Sequence, residues 1–262
     1  MNKYVKYFNT HDEYEEYINS EDALLPNVSF CEDAKDVHYN PRYDQRLVAV
    51  FNTDEQLTIK ICHNTALFTE IEIDGVVQPS VTQNYTFETT GDHEIKYTLV
   101  DPTTIGQLAF NECSYLIRIT IPKNIRTLGN GCFYLCYNLE GLNIPSGVTT
   151  IGTTIAMNAP RFTYLTIPNT VTSIGSSAFY NQYYMTSVTI PSSVTEIGNY
   201  AFQYWSRVES IFVEATTPPT IGTAVFSGQA SGRKIYVPNE SLNAYKTATK
   251  WSTYANDIYP IA

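Results

Sequence analysis

The sequence predicts a mainly β protein with some α-helix, in which a small antiparallel β-sandwich precedes a solenoid of regular repeats and a C-terminal helical cap. Three observations predict this fold class. An apolar residue followed by glycine recurs at a fixed interval through the second half, short alternating runs separated by turn residues fill 46–100, and an aromatic segment follows the last repeat. The predicted boundaries are a lead-in with a short helix at 1–41, the sandwich at 42–101, the solenoid at 102–238 and the cap at 239–262.

The repeat is defined by an Ile-Gly or Leu-Gly pair that returns at a constant spacing of 23 in residue number, with a final spacing of 24. The pairs lie at 105–106, 128–129, 151–152, 174–175, 197–198 and 221–222. Positions within each repeat are numbered here from its glycine, which is position 0. Position 4 carries Phe110, Phe133, Ala156, Phe179, Phe202 and Phe226, and position 15 carries Ile121, Ile144, Ile167, Ile190 and Val213.

Each repeat predicts one strand, one turn and one interior ring. Apolar residues at positions 13 and 15 alternate with mostly polar ones, which is typical of a strand with one buried face. A proline directly after position 15 ends that strand in four repeats, because proline cannot donate to a hydrogen-bond ladder. We expect the glycine to permit a tight turn and the phenylalanine to fill the space between repeats. One unit cannot bury its own apolar face, so we expect the isoleucines at position 15 (121, 144, 167 and 190) to be buried together on one parallel sheet.

The strings Thr-Ser-Ile-Gly-Ser-Ser-Ala-Phe (172–179) and Val-Thr-Ile-Pro-Ser-Ser-Val-Thr (188–195) resemble the BspA-type leucine-rich repeat. The resemblance covers 102–238. It implies a bacterial surface or secreted protein, because members of that family are such proteins and some are adhesins, and it implies no particular ligand.

The third repeat departs from the pattern. Ile155 and Ala156 replace Ala-Phe, and Ala159 stands where Cys113 and Cys136 lie in the first two repeats. A smaller residue at position 4 predicts either a local gap or a neighbour that leans in.

The two ends of the chain differ from the repeats. After the last repeat, Leu242, Tyr245, Trp251 and Tyr254 suit a short helix and a turn folded over the final coil, as a solenoid requires at an open end. Before the first repeat, the alternating runs Leu47–Phe51, Leu57–Ile61, Phe68–Ile73, Tyr85–Glu88 and Glu94–Leu99 predict an immunoglobulin-like sandwich that we expect to fold independently. In the lead-in, Thr10 and Glu13 form a capping box before a helical pattern.

Composition excludes several classes of function. The net charge is −10, and residues 1–40 hold nine acidic side chains against three basic ones, so binding to nucleic acid or to anionic lipid is not expected. No apolar run approaches the length of a membrane span, and no signal peptide is visible in this chain. The five cysteines form no CxxC motif, and we expect them to be buried thiols.

No catalytic or metal-binding pattern stands out, so we expect no enzyme activity, no cofactor and no metal. The four histidines all precede the repeats and are far apart, and the common hydrolase, P-loop and dinucleotide motifs are missing from the sequence. Cys62 and His63 are adjacent, but neighbouring residues on a strand point to opposite faces.

The candidate ligand-binding residues are mostly aromatic and lie in two places. The segment after position 4 carries Tyr180, Tyr183, Tyr184, Tyr204, Trp205 and Arg207, and the outer sheet face carries Tyr164 and Phe212. Exposed rings of this kind stack on sugars or anchor protein interfaces, whereas the alternative is packing between coils. Because residues one repeat apart meet on adjacent coils, we expect Tyr180 to lie near Gln203, and Tyr184 near Arg207.

The sequence therefore predicts a non-enzymatic binding or adhesion protein, extracellular or at the cell surface, that presents its repeats to a host or bacterial protein or glycan. The alternative is a structural or phage virion-associated repeat protein that acts in host contact. The sequence predicts no ligand identity and no oligomeric state.

Overall fold

A computed structural model describes residues 46–261 continuously, together with the short strands β1 (Val5–Lys6) and β2 (Val37–His38). The chain divides into two compact units, Met1–Arg46 and Leu47–Ala262. In the first unit, β1 and β2 pair antiparallel. The predicted helix after Thr10 lies outside the described residues.

The region before the repeats is antiparallel β structure. Its elements are β3 (Arg46–Thr53), β4 (Thr58–Lys60), a 3-10 helix (Thr65–Leu67), β5 (Phe68–Ile73), β6 (Val76–Val77), β7 (Asn84–Thr86) and β8 (Gly91–Leu99). Strands β4 and β7 form a two-stranded sheet, while β3, β8, β5 and β6 belong to a five-stranded sheet. Alternate side chains of β8 are buried, as the alternating sequence pattern predicts.

The fifth strand of that sheet comes from the first repeat. Strand β10 (Leu116–Thr120) pairs antiparallel with β3, and the rings of Phe68 and Tyr97 contact the ring of Phe110 with centroids 5.8 and 5.2 Å apart. One hydrophobic core runs from this region into the repeats. The predicted immunoglobulin-like sandwich and its boundary at residue 101 stay predictions, and the shared sheet gives a reason to test them.

Each repeat contributes two strands, and all of these strands except β10 pair in parallel with a strand of a neighbouring repeat. The short strands are β9 (Thr104–Ile105), β11 (Thr127–Leu128), β13 (Thr150–Ile151), β15 (Ser173–Ile174), β17 (Glu196–Ile197) and β19 (Thr220–Ile221). The longer ones are β10, β12 (Gly141–Asn143), β14 (Tyr164–Thr166), β16 (Ser187–Ile190), β18 (Ser210–Val213) and β20 (Lys234–Val237). Val188 pairs with Ile211 and Ile151 with Ile174, so each residue meets its counterpart in the following repeat and the predicted repeat period is the structural one.

The longer strands do not form the single parallel sheet that we expected. Strands β12 and β14 pair with each other, while β16 begins a separate sheet and β10 pairs with β3. At position 15, Ile144, Ile167 and Ile190 are buried, whereas Ile121 follows β10 and is only partly buried. The expectation of one sheet with all four isoleucines buried is therefore wrong for the first repeat. The longer strand of that repeat, β10, pairs with β3 and not with β12.

The gap between β14 and β16 adjoins the third repeat, which is also the repeat that departs from the sequence pattern. Phe110 stacks on Phe133, and Phe179 stacks on Phe202, with ring centroids 5.8 Å apart in each pair. Ala156 interrupts this series of rings. An open groove of about 350 Å³ lies between the two strands and is lined by Thr163–Ile167 and Ser187–Thr189. A smaller interior side chain lowers the number of atoms holding adjacent repeats together.

The repeat glycines have a different role from the one expected. Gly129, Gly175, Gly198 and Gly222 have no left-handed backbone angles. Instead, each lies directly against the backbone of the preceding repeat: a Cβ at Gly198 would come 2.5 Å from the amide nitrogen of Ser176. Glycine is therefore required by the close approach of neighbouring repeats and not by the conformation of a turn.

The left-handed residues lie at positions 2 and 6 of each repeat. They are Leu108, Glu112, Gly131, Leu135, Thr154, Asn158, Ser177, Asn181, Tyr200, Tyr204, Ala224 and Gly228, with φ from 52 to 68°. Most are not glycine, although this conformation costs a side-chain-bearing residue about 1–2 kcal/mol. The stacked repeats impose it, since backbone groups here bond between repeats, as in the donation from the Asn181 amide to the Gln203 carbonyl.

Position 7 carries a buried or partly buried hydrogen-bond donor in four repeats. The Cys136 thiol, the Gln182 amide, the Trp205 indole and the Gln229 amide each donate to the carbonyl of the position 4 residue in the preceding repeat, at 2.6–3.0 Å. Cys62, Cys113, Cys132 and Cys136 are free and buried, which confirms the expectation of buried thiols, and Cys31 lies outside the described residues.

The C-terminal segment covers the last repeat. It consists of a 3-10 helix (Asn239–Ser241), α1 (Leu242–Thr247), a second 3-10 helix (Trp251–Asp257) and β21 (Ile258–Pro260), which extends the outer sheet beside β20. The Trp251 indole donates to the Pro219 carbonyl at 2.7 Å, and the Tyr245 hydroxyl donates to the Ala215 carbonyl at 2.7 Å. These bonds satisfy the polar groups of both buried rings while the rings cover the apolar interior.

Candidate ligand-binding surface

Tyr183 and Tyr184 form an exposed pair at positions 8 and 9 of the fourth repeat. Their flanking residues, Gln182 and Met185, are buried and fix the backbone on both sides. The Tyr184 amide also donates to the Pro160 carbonyl of the third repeat at 3.2 Å. With both ends held, the two rings point outward, 42% and 44% exposed, and their centroids lie 5.1 Å apart at 80°.

Arg207 of the next repeat lies in the angle between these two rings. Its guanidinium carbon is 4.7 Å from the centroid of the Tyr183 ring and 4.8 Å from that of the Tyr184 ring. Both distances are within the range of a cation–π interaction. The predicted proximity of Tyr184 and Arg207 is confirmed, and the structure adds Tyr183 to it. We call Tyr183, Tyr184 and Arg207 the tyrosine–arginine cluster.

Tyr180 and Tyr204 form a second pair. Their ring centroids are 5.2 Å apart at 90°. Tyr204 is exposed but has φ of 62°, and its ring lies against Gly228, where a Cβ would clash with it. Tyr180 is only partly exposed, and burial raises the pKa of its hydroxyl. The amide of the next residue, Asn181, donates to the Gln203 carbonyl, and the Tyr180 ring contacts the Tyr204 ring. This pair is therefore partly exposed and also packs between two repeats.

Trp205 does not belong to the surface, and its assignment as a ligand-binding residue is wrong. The side chain is fully buried, its ring packs edge-on against Phe202, and its indole donates to the Phe179 carbonyl at 2.6 Å. The sequence contained the signal for this role. Trp205 occupies position 7, where Cys136 and Gln182 also present a donor, whereas the exposed pair Tyr183 and Tyr184 occupies positions 8 and 9.

The two predicted residues of the outer sheet face are not brought together. Tyr164 lies on β14 beside the groove, 37% exposed, with its ring against Gly141, and burial followed by the charge of Glu140 raises its pKa. Phe212 lies two strands away on β18 and stacks on Tyr236 with centroids 5.0 Å apart.

Tyr259 extends the Phe212–Tyr236 stack, with its centroid 6.4 Å from that of Tyr236. Sequence reasoning missed it because nothing in the repeat pattern predicts that the cap adds a strand to the outer sheet.

The reactive side chains before the repeats are occupied by structural contacts. The Cys62 thiol donates to the Thr82 carbonyl at 3.3 Å, and burial raises its pKa to about 12, so it is a protonated thiol at neutral pH. His93 stacks on Phe87 and lies 2.8 Å from a carboxylate oxygen of Asp74. Within residues 46–261, no group of three or more His, Cys, Asp or Glu side chains is arranged to hold a metal ion.

The same described range has no helix with the length and apolar character needed to cross a membrane.

Comparison with family models matches residues 63–160 and 150–250 to the BspA type leucine rich repeat region, in six copies. The chain belongs to the BspA-type leucine-rich repeat family. This membership confirms the resemblance carried by the repeat strings and accounts for a mainly β repeat fold. No curated protein matches the chain.

Three solved structures are similar to part of the chain. A leucine-rich repeat protein from Bacteroides ovatus is 24% identical over 60% of this chain and 50% of that one, with a TM-score of 0.41. The pneumococcal vaccine antigen PcpA is 14% identical over 60% and 40%, with a TM-score of 0.35. A leucine rich cell surface protein from Faecalibacterium prausnitzii is 17% identical over 52% and 57%, with a TM-score of 0.28. The chain therefore spans about half the length of the B. ovatus protein.

Proposed function

We propose that this chain is a non-enzymatic binding protein, secreted or displayed at a bacterial surface, that holds a protein or glycan ligand on the outside of its repeat solenoid. The observation that carries the proposal is the tyrosine–arginine cluster. The rings of Tyr183 and Tyr184 are exposed on a backbone that is held on both sides. Exposed tyrosines held in this way supply contact area at a low cost in conformational entropy.

The composition of the exposed surface supports the same proposal. The large apolar residues exposed between residues 102 and 238 are all tyrosines, namely Tyr137, Tyr164, Tyr183, Tyr184, Tyr200 and Tyr204. Tyrosine pairs a flat apolar face with a hydroxyl, which suits a contact that stays soluble when it is unoccupied. Membership of a family of bacterial surface and secreted proteins supports the location, and the buried, protonated state of Cys62 supports the absence of thiol catalysis.

The test is a glycan array combined with a pull-down against host matrix proteins, using the wild type and two variants. Replacing both Tyr183 and Tyr184 by Ala should weaken binding by more than about 1 kcal/mol and leave the melting temperature nearly unchanged. Tyr137→Ala is the matched control, because Tyr137 is 48% exposed at position 8 of the second repeat. Loss of binding in the control alone, or equal retention in all three proteins, would place the ligand elsewhere.

A further inference from the structure

The tyrosine–arginine cluster holds a cation that has no anionic partner among the described residues. Arg118 and Arg233 pair with Asp92 and Asp257 at 2.7 and 3.2 Å, whereas Arg207 makes no ion pair within residues 46–261. Glu209 is two positions further along the chain and exposed, but it does not pair with Arg207. A guanidinium presents five donors in a planar fork. The fork of Arg207 is thus fixed at the surface with its carboxylate-binding capacity unused.

The two tyrosines explain why this arginine is fixed. Arg161 occupies position 9 of the third repeat, two repeats before Arg207. It follows Tyr137 along the chain by the same number of residues as Arg207 follows Tyr183. No cation–π contact joins Arg161 to Tyr137 in the described chain. The two arrangements differ in the residue that directly follows the tyrosine. This residue is Asn138 after Tyr137 and Tyr184 after Tyr183. In the cluster, two rings at 80° contact the guanidinium of Arg207, whereas the single ring of Tyr137 makes no such contact with Arg161.

The position of the Arg207 guanidinium limits which parts of the two tyrosine rings a ligand can contact. Each ring presents one face to Arg207, so a ligand would meet the remaining exposed parts of the rings together with the guanidinium. A sugar ring can stack on an exposed aromatic face while a carboxylate on the same sugar accepts two parallel hydrogen bonds from the fork. Thr186 and Ser206, both exposed, lie within two residues of the cluster along the chain and carry hydroxyls available for further polar contacts.

We propose that the tyrosine–arginine cluster is a binding site for acidic glycans, in which Arg207 receives the carboxylate of a sugar acid and Tyr183 and Tyr184 contact its ring. This inference rests on the proposed binding function and names the ligand class for it. An acidic peptide offers the same carboxylate on a flexible side chain, whereas a sugar acid carries it directly on the ring that the two tyrosines would contact.

The experiment compares an oligogalacturonate with its methyl ester, which keeps the sugar ring and removes the charge. Calorimetry or biolayer interferometry on the full chain should show at least about tenfold tighter binding of the acid than of the ester. Arg207→Gln should abolish that difference, and Arg207→Lys should restore part of it, because lysine keeps the charge without the planar fork. Arg161→Gln is the matched control and should bind as the wild type does. Unchanged melting temperatures verify that the variants are folded.

The other outcomes separate this inference from the proposed function. If the acid and the ester bind equally, or if Arg207→Gln keeps the preference, the acidic-glycan site is wrong while glycan binding stands. If oligoglutamate binds as tightly as the oligogalacturonate and competes with it, the ligand class is wrong and an acidic protein takes its place. If neither sugar binds and the array and pull-down are also negative, the proposed binding function fails together with the site.

Discussion

Replacing Trp205 by Phe tests whether position 7 stabilises the repeats through its donor or only through its volume. The indole nitrogen of Trp205 donates to the Phe179 carbonyl at 2.6 Å inside the core, where the side chain has no exposed surface. Phenylalanine keeps an aromatic ring against Phe202 but leaves that carbonyl without this donor. A buried polar group that loses its partner costs about 1–3 kcal/mol.

The expected effect is measurable in a protein of this size. A loss of about 2 kcal/mol lowers the melting temperature of a domain of roughly 200 residues by about 4–8 °C. Urea denaturation followed by fluorescence of the remaining Trp251 and by circular dichroism should give the same loss at unchanged slope.

Trp205→Gln provides the comparison, because Gln182 and Gln229 make the same bond at position 7. Glutamine retains the donor and loses the ring, so its cost measures apolar burial, about 3–5 kcal/mol at most, the range for removing a large buried ring. If Trp205→Phe is as stable as the wild type within about 0.3 kcal/mol, the donor role is refuted and the position is filled for its volume alone.

Four further predictions follow from the fold. Ile190→Ala should destabilise the protein more than Ile167→Ala, within about 2–5 kcal/mol for each, because Ile167 borders the groove; urea titration giving the reverse order contradicts the described gap. Tyr204→Gly should be about 1 kcal/mol more stable than Tyr204→Ala, since glycine adopts φ of 62° without penalty; equal melting curves argue against strain there. Contrary to the expectation from the sequence, a fragment of 42–101 should lack the cooperative melt of the full chain, since β3 loses β10; a sharp calorimetric transition would instead support the domain boundary at 101 that the sequence predicts. Cys62, with its pKa at about 12, should resist iodoacetamide at pH 8 in the folded chain and react after unfolding, as judged by mass spectrometry.

The repeat period and the interior of the repeats were predictable because both depend on residues whose physical role is the same whatever residues surround them. A phenylalanine that recurs at the same position of nearly every repeat is expected in the interior, because it is large and apolar. Alternation at positions 13 and 15 specifies which face of the strand is buried. The same logic failed for glycine. Its recurrence indicated a turn, but the left-handed residues are at positions 2 and 6 and include Tyr204, and the glycine is required by the backbone of the preceding repeat.

The features that sequence reasoning missed depend on contacts between distant segments. Strand β10 was assigned to the parallel stack because its own pattern fits there, and nothing in residues 116–120 indicates that β3, far earlier in the chain, takes one of its edges. Tyr259 joins the outer sheet only because the cap returns a strand to it. Aromatic side chains were recognised as candidates, but composition alone does not separate a buried ring at position 7 from an exposed one at position 8.

That one-position difference explains why family membership and ligand are separate questions in this protein. Positions 0, 4, 7 and 15 are held by contacts to adjacent repeats, so their side chains are limited by the space and the bonds that the stack provides. Positions 8 and 9 are exposed or only partly buried, so the stack limits their side chains less. Through the first five repeats they read Ser-Tyr, Tyr-Asn, Pro-Arg, Tyr-Tyr and Ser-Arg. Two tyrosines meet an arginine of the following repeat once in this series, between the fourth and fifth repeats. A fold built on a constant interior thus leaves recognition to whichever residues fall side by side on its surface, and in this chain Tyr183, Tyr184 and Arg207 are the ones that do.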